Sequence, residues 1–141
     1  MRKELDDALC EKYPKIFEQR HWDMSKTCMC WGFPGDGWYD ILDNLCGAIQ
    51  DYCDNVKRYD EETKLLVPAC KQVVATQVKE KFGELRFYFE GGNETIHGMI
   101  TMATYMSKRT CEECGKPGKI RPGGWVRTLC DKHAKRKHVR S

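Results

Sequence analysis

Cys111, Cys114, Cys130 and His133 offer three thiols and one imidazole in the order C-x2-C, fifteen residues, C-x2-H. Sulfur and imidazole nitrogen are the donors Zn²⁺ takes in a tetrahedral shell, and this spacing is close to that of structural zinc modules. Four protein ligands close the shell and leave no position for a reacting water, so one structural Zn²⁺ is the expected cofactor. His138 stands eight residues past Cys130, more than two helical turns away, and is a poorer fourth ligand than His133.

The surrounding residues can build the support such a site needs. Gly115 follows the second thiol, where a knuckle often requires positive φ. Residues 119–121 and 125–129 read as two short strands, with Pro122-Gly123-Gly124 as the turn. After Cys130 the chain favours a helix, with Asp131 in its first turn and Cys130 and His133 on one face. Knuckle, hairpin and helix in this order resemble the treble-clef family of zinc modules.

The other reactive residues are read conservatively. Cys28-x-Cys30, with His21, Cys46 or Cys53, lacks the two-residue gap of a zinc knuckle and reads as reduced thiols beside tryptophans. His21 with Cys28 or Cys30 is the one nucleophile–base pairing available, and sequence alone does not bring them together. Asp36, Asp40 and Asp43 gather at a helix start, where the helix dipole accounts for them. There is no phosphate-binding glycine loop. No catalytic residue is assigned, and an enzyme is not expected. The charged N-terminal residues lack the apolar core of a secretory signal, and nine cysteines, an odd number, would leave one unpaired in an oxidising compartment. No apolar run approaches the ~20 residues of a membrane span. A cytoplasmic protein without membrane contact is therefore expected.

Charge is divided along the chain. Residues 108–141 hold eleven Lys or Arg against three Asp or Glu, a net of +8, while residues 1–107 carry −5. A basic module beside an acidic body suggests contact with a polyanion. Lys119, Arg121, Arg127, Lys135, Arg136, Lys137 and Arg140 are the candidate nucleic-acid contacts.

In the body, apolar spacing predicts a helix over 4–13 that Pro14 interrupts, and a short turn through Ile16 and Phe17. Residues 20–37 form an irregular aromatic loop with a turn at Pro34-Gly35-Asp36-Gly37. Helices are expected over 38–57, with an acidic outer face, and over 61–69. Strands over 73–81 and 84–90 pair as a hairpin around Phe82-Gly83. Arg86 and Tyr88 could meet bases from its outer face, but ordinary alternation with Leu85, Phe87 and Phe89 packed inward is the preferred reading. Asn93 or Thr95 caps a last body helix that runs to residue 108.

Three stretches combine into a resemblance. They are His21-Trp22-Asp23 with Cys28-Met29-Cys30-Trp31-Gly32-Phe33, then Val78-Lys79-Glu80-Lys81-Phe82-Gly83-Glu84-Leu85-Arg86-Phe87-Tyr88, then Arg109-Thr110-Cys111-Glu112-Glu113-Cys114-Gly115 through Gly124-Trp125 to His133. Their order resembles a family of small, mostly uncharacterised proteins encoded by phages and prophages. The resemblance implies a bacterial host cytoplasm and brings no activity or catalytic residue with it.

The expected fold is α+β, with helices packed on an antiparallel hairpin (residues 1–108) and a treble-clef-like zinc module at 109–141. The expected function is nucleic-acid binding through the basic zinc module. The alternative is an inhibitor or adaptor that binds a host protein through the aromatic loop or the acidic helix.

Overall fold

In this computed structural model residues 1–140 are described, those of 136–140 as backbone alone. Helix α1 (Lys3–Lys12) buries Leu9 and ends at Tyr13, whose amide donates to the Leu9 carbonyl just before Pro14. Tyr13 then ties the chain to helix α2 (Tyr39–Asn55): its hydroxyl lies 2.8 Å from the Asp43 carbonyl and 2.6 Å from the Asp43 carboxylate. On α2 the residues Ile41, Leu42, Leu45, Cys46, Ile49 and Cys53 are buried at helical spacing.

Residues 61–69 are not a helix. Strands β1 (Lys57–Asp60) and β2 (Leu65–Pro68) form an antiparallel ribbon there, and α2 stops short of residue 57. The reason is local. Val56 is extended and β-branched, and the Asp60 carboxylate receives the Glu62 amide and the Thr63 hydroxyl in a tight turn closed by Lys64 N to Asp60 O.

The central hairpin is β3 (Lys71–Lys81) against β4 (Glu84–Gly92), with Lys81 opposite Glu84 across the Phe82-Gly83 turn. Both turn residues have positive φ, +53° and +81°, as a two-residue hairpin loop requires. Leu85 and Phe87 are buried and Phe89 partly so, while Arg86 and Tyr88 lie on the other face. Arg86 stands opposite Lys79 and is paired with Glu84 at 2.7 Å, and Tyr88 stands opposite Gln77. Helix α3 (Glu94–Ser107) is capped by the Asn93 carboxamide oxygen, which receives the Thr95 and Ile96 amides. It crosses back over β4, where the Ser107 hydroxyl receives the Leu85 amide at 2.9 Å.

Helices α2 and α3 lie side by side and antiparallel. Trp38, at the start of α2, donates its indole N–H to the Thr110 carbonyl just beyond α3 at 2.9 Å. At the other end Asn93 donates to the Tyr52 hydroxyl at 2.9 Å. Trp38, Leu42, Ile49, Val73, Leu85 and Ile96 are fully buried between these layers. Each such side chain contributes about 1.5–3 kcal/mol by leaving water.

The aromatic loop is part anchor and part surface. Arg20 pairs with Asp6 at 2.8 Å and donates to the Cys30 carbonyl at 3.0 Å, which folds the loop back on α1. Met29, Phe33 and Trp38 are buried, whereas Trp22, Met24 and Trp31 are exposed. The chain closes with β5 (Lys119–Arg121), β6 (Arg127–Leu129) and helix α4 (Asp131–Arg140). Among the described residues no helix is long and apolar enough to cross a membrane.

Candidate metal centre

The knuckle is built by backbone. Gly115, at φ +80°, lets its amide return to the Cys111 carbonyl at 2.9 Å, while the Cys111 amide donates to the Lys116 carbonyl at 2.8 Å. These bonds turn Cys111 and Cys114 to one side. The β5–β6 hairpin, paired Lys119 to Leu129 through Arg121 to Arg127, delivers Cys130 to the start of α4. Ala134 N donates to Cys130 O, so Cys130 stands at the cap of α4 and His133 lies in the helix's first turn.

All four ligand atoms lie within 4.8 Å of one another. The Cys114 and Cys130 sulfurs are 3.8 Å apart, and His133 Nδ1 stands 3.2 Å from Cys130 Sγ and 3.5 Å from Cys111 Sγ. A tetrahedral ion with Zn–S near 2.3 Å and Zn–N near 2.0 Å needs ligand separations of about 3.5–3.8 Å. The cluster lies close to these values and is consistent with a Cys3His shell. The His133 backbone N–H pulls the Cys130 thiol down to about 6, which favours the thiolate that a metal binds. Cys111 is fully buried and Cys114 faces solvent.

Two glutamates inside the knuckle support it. Glu113 places a carboxylate oxygen 3.7 Å from His133 Nε2, on the ring nitrogen away from the cluster, where it orients the imidazole. Glu112 is buried and links the knuckle to the body. Its carboxylate receives the Gly35 amide at 2.9 Å and Arg127 at 3.2 Å, its amide donates to the Thr128 carbonyl, and its own carbonyl receives the Gly37 amide at 2.7 Å. Thr128, also fully buried, donates its hydroxyl to the Gly83 carbonyl at the tip of the central hairpin. Neither glutamate stands out in the sequence, because C-x-x-C spacing says nothing about the intervening residues. Nor does the Pro34–Gly37 turn advertise that it is the strip on which the knuckle sits.

The candidate nucleic-acid contacts divide into groups. Lys119 and Lys135 are exposed. Arg121 turns back to the Leu129 carbonyl at 3.1 Å and to Asp131 at 2.8 Å, holding the Asp131 carboxyl below the usual carboxylate range. Arg127 is engaged by Glu112 and by the Trp125 ring, 5.1 Å away. The side chains of Arg136, Lys137, His138 and Arg140 lie outside the described residues.

The remaining thiols do not form a second centre among the described residues. Cys30 Sγ donates to the Thr27 carbonyl, Cys28 and His21 are exposed, and Cys46 and Cys53 are core residues, with Cys53 3.8 Å from Cys70. Comparison with protein-family models, curated proteins and solved structures finds no match, so the phage resemblance gains no support; a Cys3His cluster consistent with a treble-clef-like zinc module stands on its own geometry.

Proposed function

We propose that the protein is a zinc-dependent nucleic-acid-binding accessory protein, with the metal shaping the binding face rather than reacting. The observation that carries this reading is the meeting of two turns. A methyl group at Gly83 would meet Val126, Arg127 and Thr128 at 3.3–3.5 Å, so these residues lie close against it. This sets the β3–β4 tip beside the approach to β6, and each turn bears a protruding aromatic: Phe82, 67% exposed, and Trp125, 63% exposed. Lys81 stands 5.7 Å from the Phe82 ring, and Arg127, itself paired with Glu112, braces the Trp125 ring at 5.1 Å.

Exposed rings interleaved with cations suit stacked bases and a phosphate backbone, so single-stranded nucleic acid is the favoured ligand class. Lys119 and Lys135 extend the cationic surface, as would Arg136, Lys137 and Arg140. Arg121 and Arg127 hold the hairpin in shape. Phe82 adds a second kind of support: a bulky residue at positive φ is strained, and such strain gathers at functional positions. None of the nine cysteines is in a disulfide, which suits a reducing compartment.

The test is fluorescence anisotropy with labelled single- and double-stranded oligonucleotides across a salt series. Binding should weaken with salt by a log–log slope of about −0.7 per phosphate contacted on single strands. Replacing Lys119 and Lys135 by Ala should flatten the slope by about one to two contacts. A slope near zero, or a double variant that binds as well as the parent, overturns the reading.

A further inference from the structure

We propose that the groove between α2 and α3 docks a basic amphipathic helix from a partner protein. The groove encloses about 550 Å³ and is walled by Ile41, Leu45 and Ala48 from α2 and by Met99, Met102 and Met106 from α3. Met102 is 63% and Met106 51% exposed. Gly98 opens its floor, since nothing stands within 4 Å of where its Cβ would be. A contiguous apolar trough of this kind marks a contact surface, and methionine walls adapt to a helix laid into them.

Charge at the two ends selects the occupant. Asp40 lines the end near Met106. At the other end the α2 stripe of 40, 41, 44, 45 and 48 continues to Asp51, and the α3 stripe begins beside Glu94. The antiparallel packing, fixed there by Asn93 on Tyr52, sets Asp51 and Glu94 at the same end. None of the three carboxylates is in an ion pair among the described residues. Lys108, near the Met106 end, is turned onto the Tyr105 ring at 4.5 Å.

A second copy would bring acidic ends against acidic ends. Nucleic acid would meet carboxylates and an apolar floor. The chain's own α4 carries only Ala134 and Val139 as apolar residues and lacks a stripe to fill the trough. A partner helix with apolar residues at i, i+3 or i+4, and i+7, and Lys or Arg flanking them, satisfies both features. Asp40 and Asp51 are about 16 Å apart along α2, so the basic residues should be about eleven positions apart.

The experiment is anisotropy of a labelled synthetic helix of about 16 residues, Leu on one face and Lys at both ends, against zinc-loaded full-length protein. A second peptide carries Glu in place of each Lys. The Lys peptide should bind saturably, and the Glu peptide at least about tenfold more weakly. Gly98→Leu, whose Cβ has open space and whose longer side chain would occupy the trough, and Met102→Lys, at an exposed position, should each weaken binding about tenfold or more while melting curves stay close to the parent's. Equal binding of the two peptides overturns the proposal, as does undiminished binding by Gly98→Leu. A parent protein that runs as a dimer, dissolved by Gly98→Leu, assigns the trough to a second copy and also overturns it.

Discussion

Gly37 lies directly under Cys111. A methyl group at Gly37 would overlap the Cys111 carbonyl oxygen and crowd the Gly115 amide, while the Gly37 amide donates to Glu112 O at 2.7 Å. The first cysteine of the Cys3His cluster is thus seated on a loop seventy-four positions earlier in the chain. Body and knuckle share one hydrogen-bonded seam that runs through Gly35, Gly37, Trp38 and Glu112.

That seam makes Gly37→Ala costly. The overlap is with backbone, so the knuckle or the loop must move, and a loss of about 2–4 kcal/mol is expected. Urea denaturation of the zinc-loaded protein measures it. Gly124→Ala, where nothing lies within 4 Å, should change stability by less than about 0.5 kcal/mol.

Trp38→Phe keeps most of the buried ring volume and deletes the N–H that reaches Thr110 O. The carbonyl is then left without this donor at the junction of α3 and the knuckle, at a cost of about 1–3 kcal/mol. Thermal denaturation with and without a chelator should show the cost in both states, because the bond does not pass through the metal.

Phe82→Asn should separate stability from binding. Asn tolerates the left-handed conformation that Phe82 adopts, and Asn-Gly is a favoured two-residue hairpin turn, so stability should rise by about 1 kcal/mol. Oligonucleotide affinity should fall by the ~1–3 kcal/mol of a lost stacking contact. Equal or improved oligonucleotide binding would remove Phe82 from the binding face.

Asp43 gives a pH dependence with a definite sign. Its carboxyl is held below the usual carboxylate range, first by the Tyr13 hydroxyl at 2.6 Å and then by Lys12. A carboxyl depressed in the folded state contributes stability above its unfolded value of about 4, and that stability is lost as pH falls through the folded value. Asp43→Asn should therefore be less stable than the parent at neutral pH, and the gap should narrow towards pH ~3. A gap that stays constant with pH would show that the Tyr13 contact works through packing alone.

The Cys3His cluster was legible because tetrahedral coordination constrains spacing within a short segment, and its four residues do meet. The α+β outline was legible through period: α2 keeps its apolar residues at helical spacing, and β4 alternates Leu85 and Phe87 against Arg86 and Tyr88. The β1–β2 ribbon was not, because Glu61 to Ala69 carries helix formers, while the turn at Asp60 depends on side-chain bonds that no period reports. The roles of Glu112 and Gly37 are long-range and leave no local signal. Arg121 and Arg127 illustrate the same limit: charge counts do not reveal that each has a carboxylate partner.

Zinc K-edge X-ray absorption on the purified protein, with metal content determined on the same sample, tests the central claim most directly. One zinc per chain is predicted, with three sulfurs at about 2.3 Å and one nitrogen at about 2.0 Å. A chain that holds no stoichiometric zinc, or a shell in which a water oxygen replaces one of Cys111, Cys114, Cys130 or His133, would contradict it.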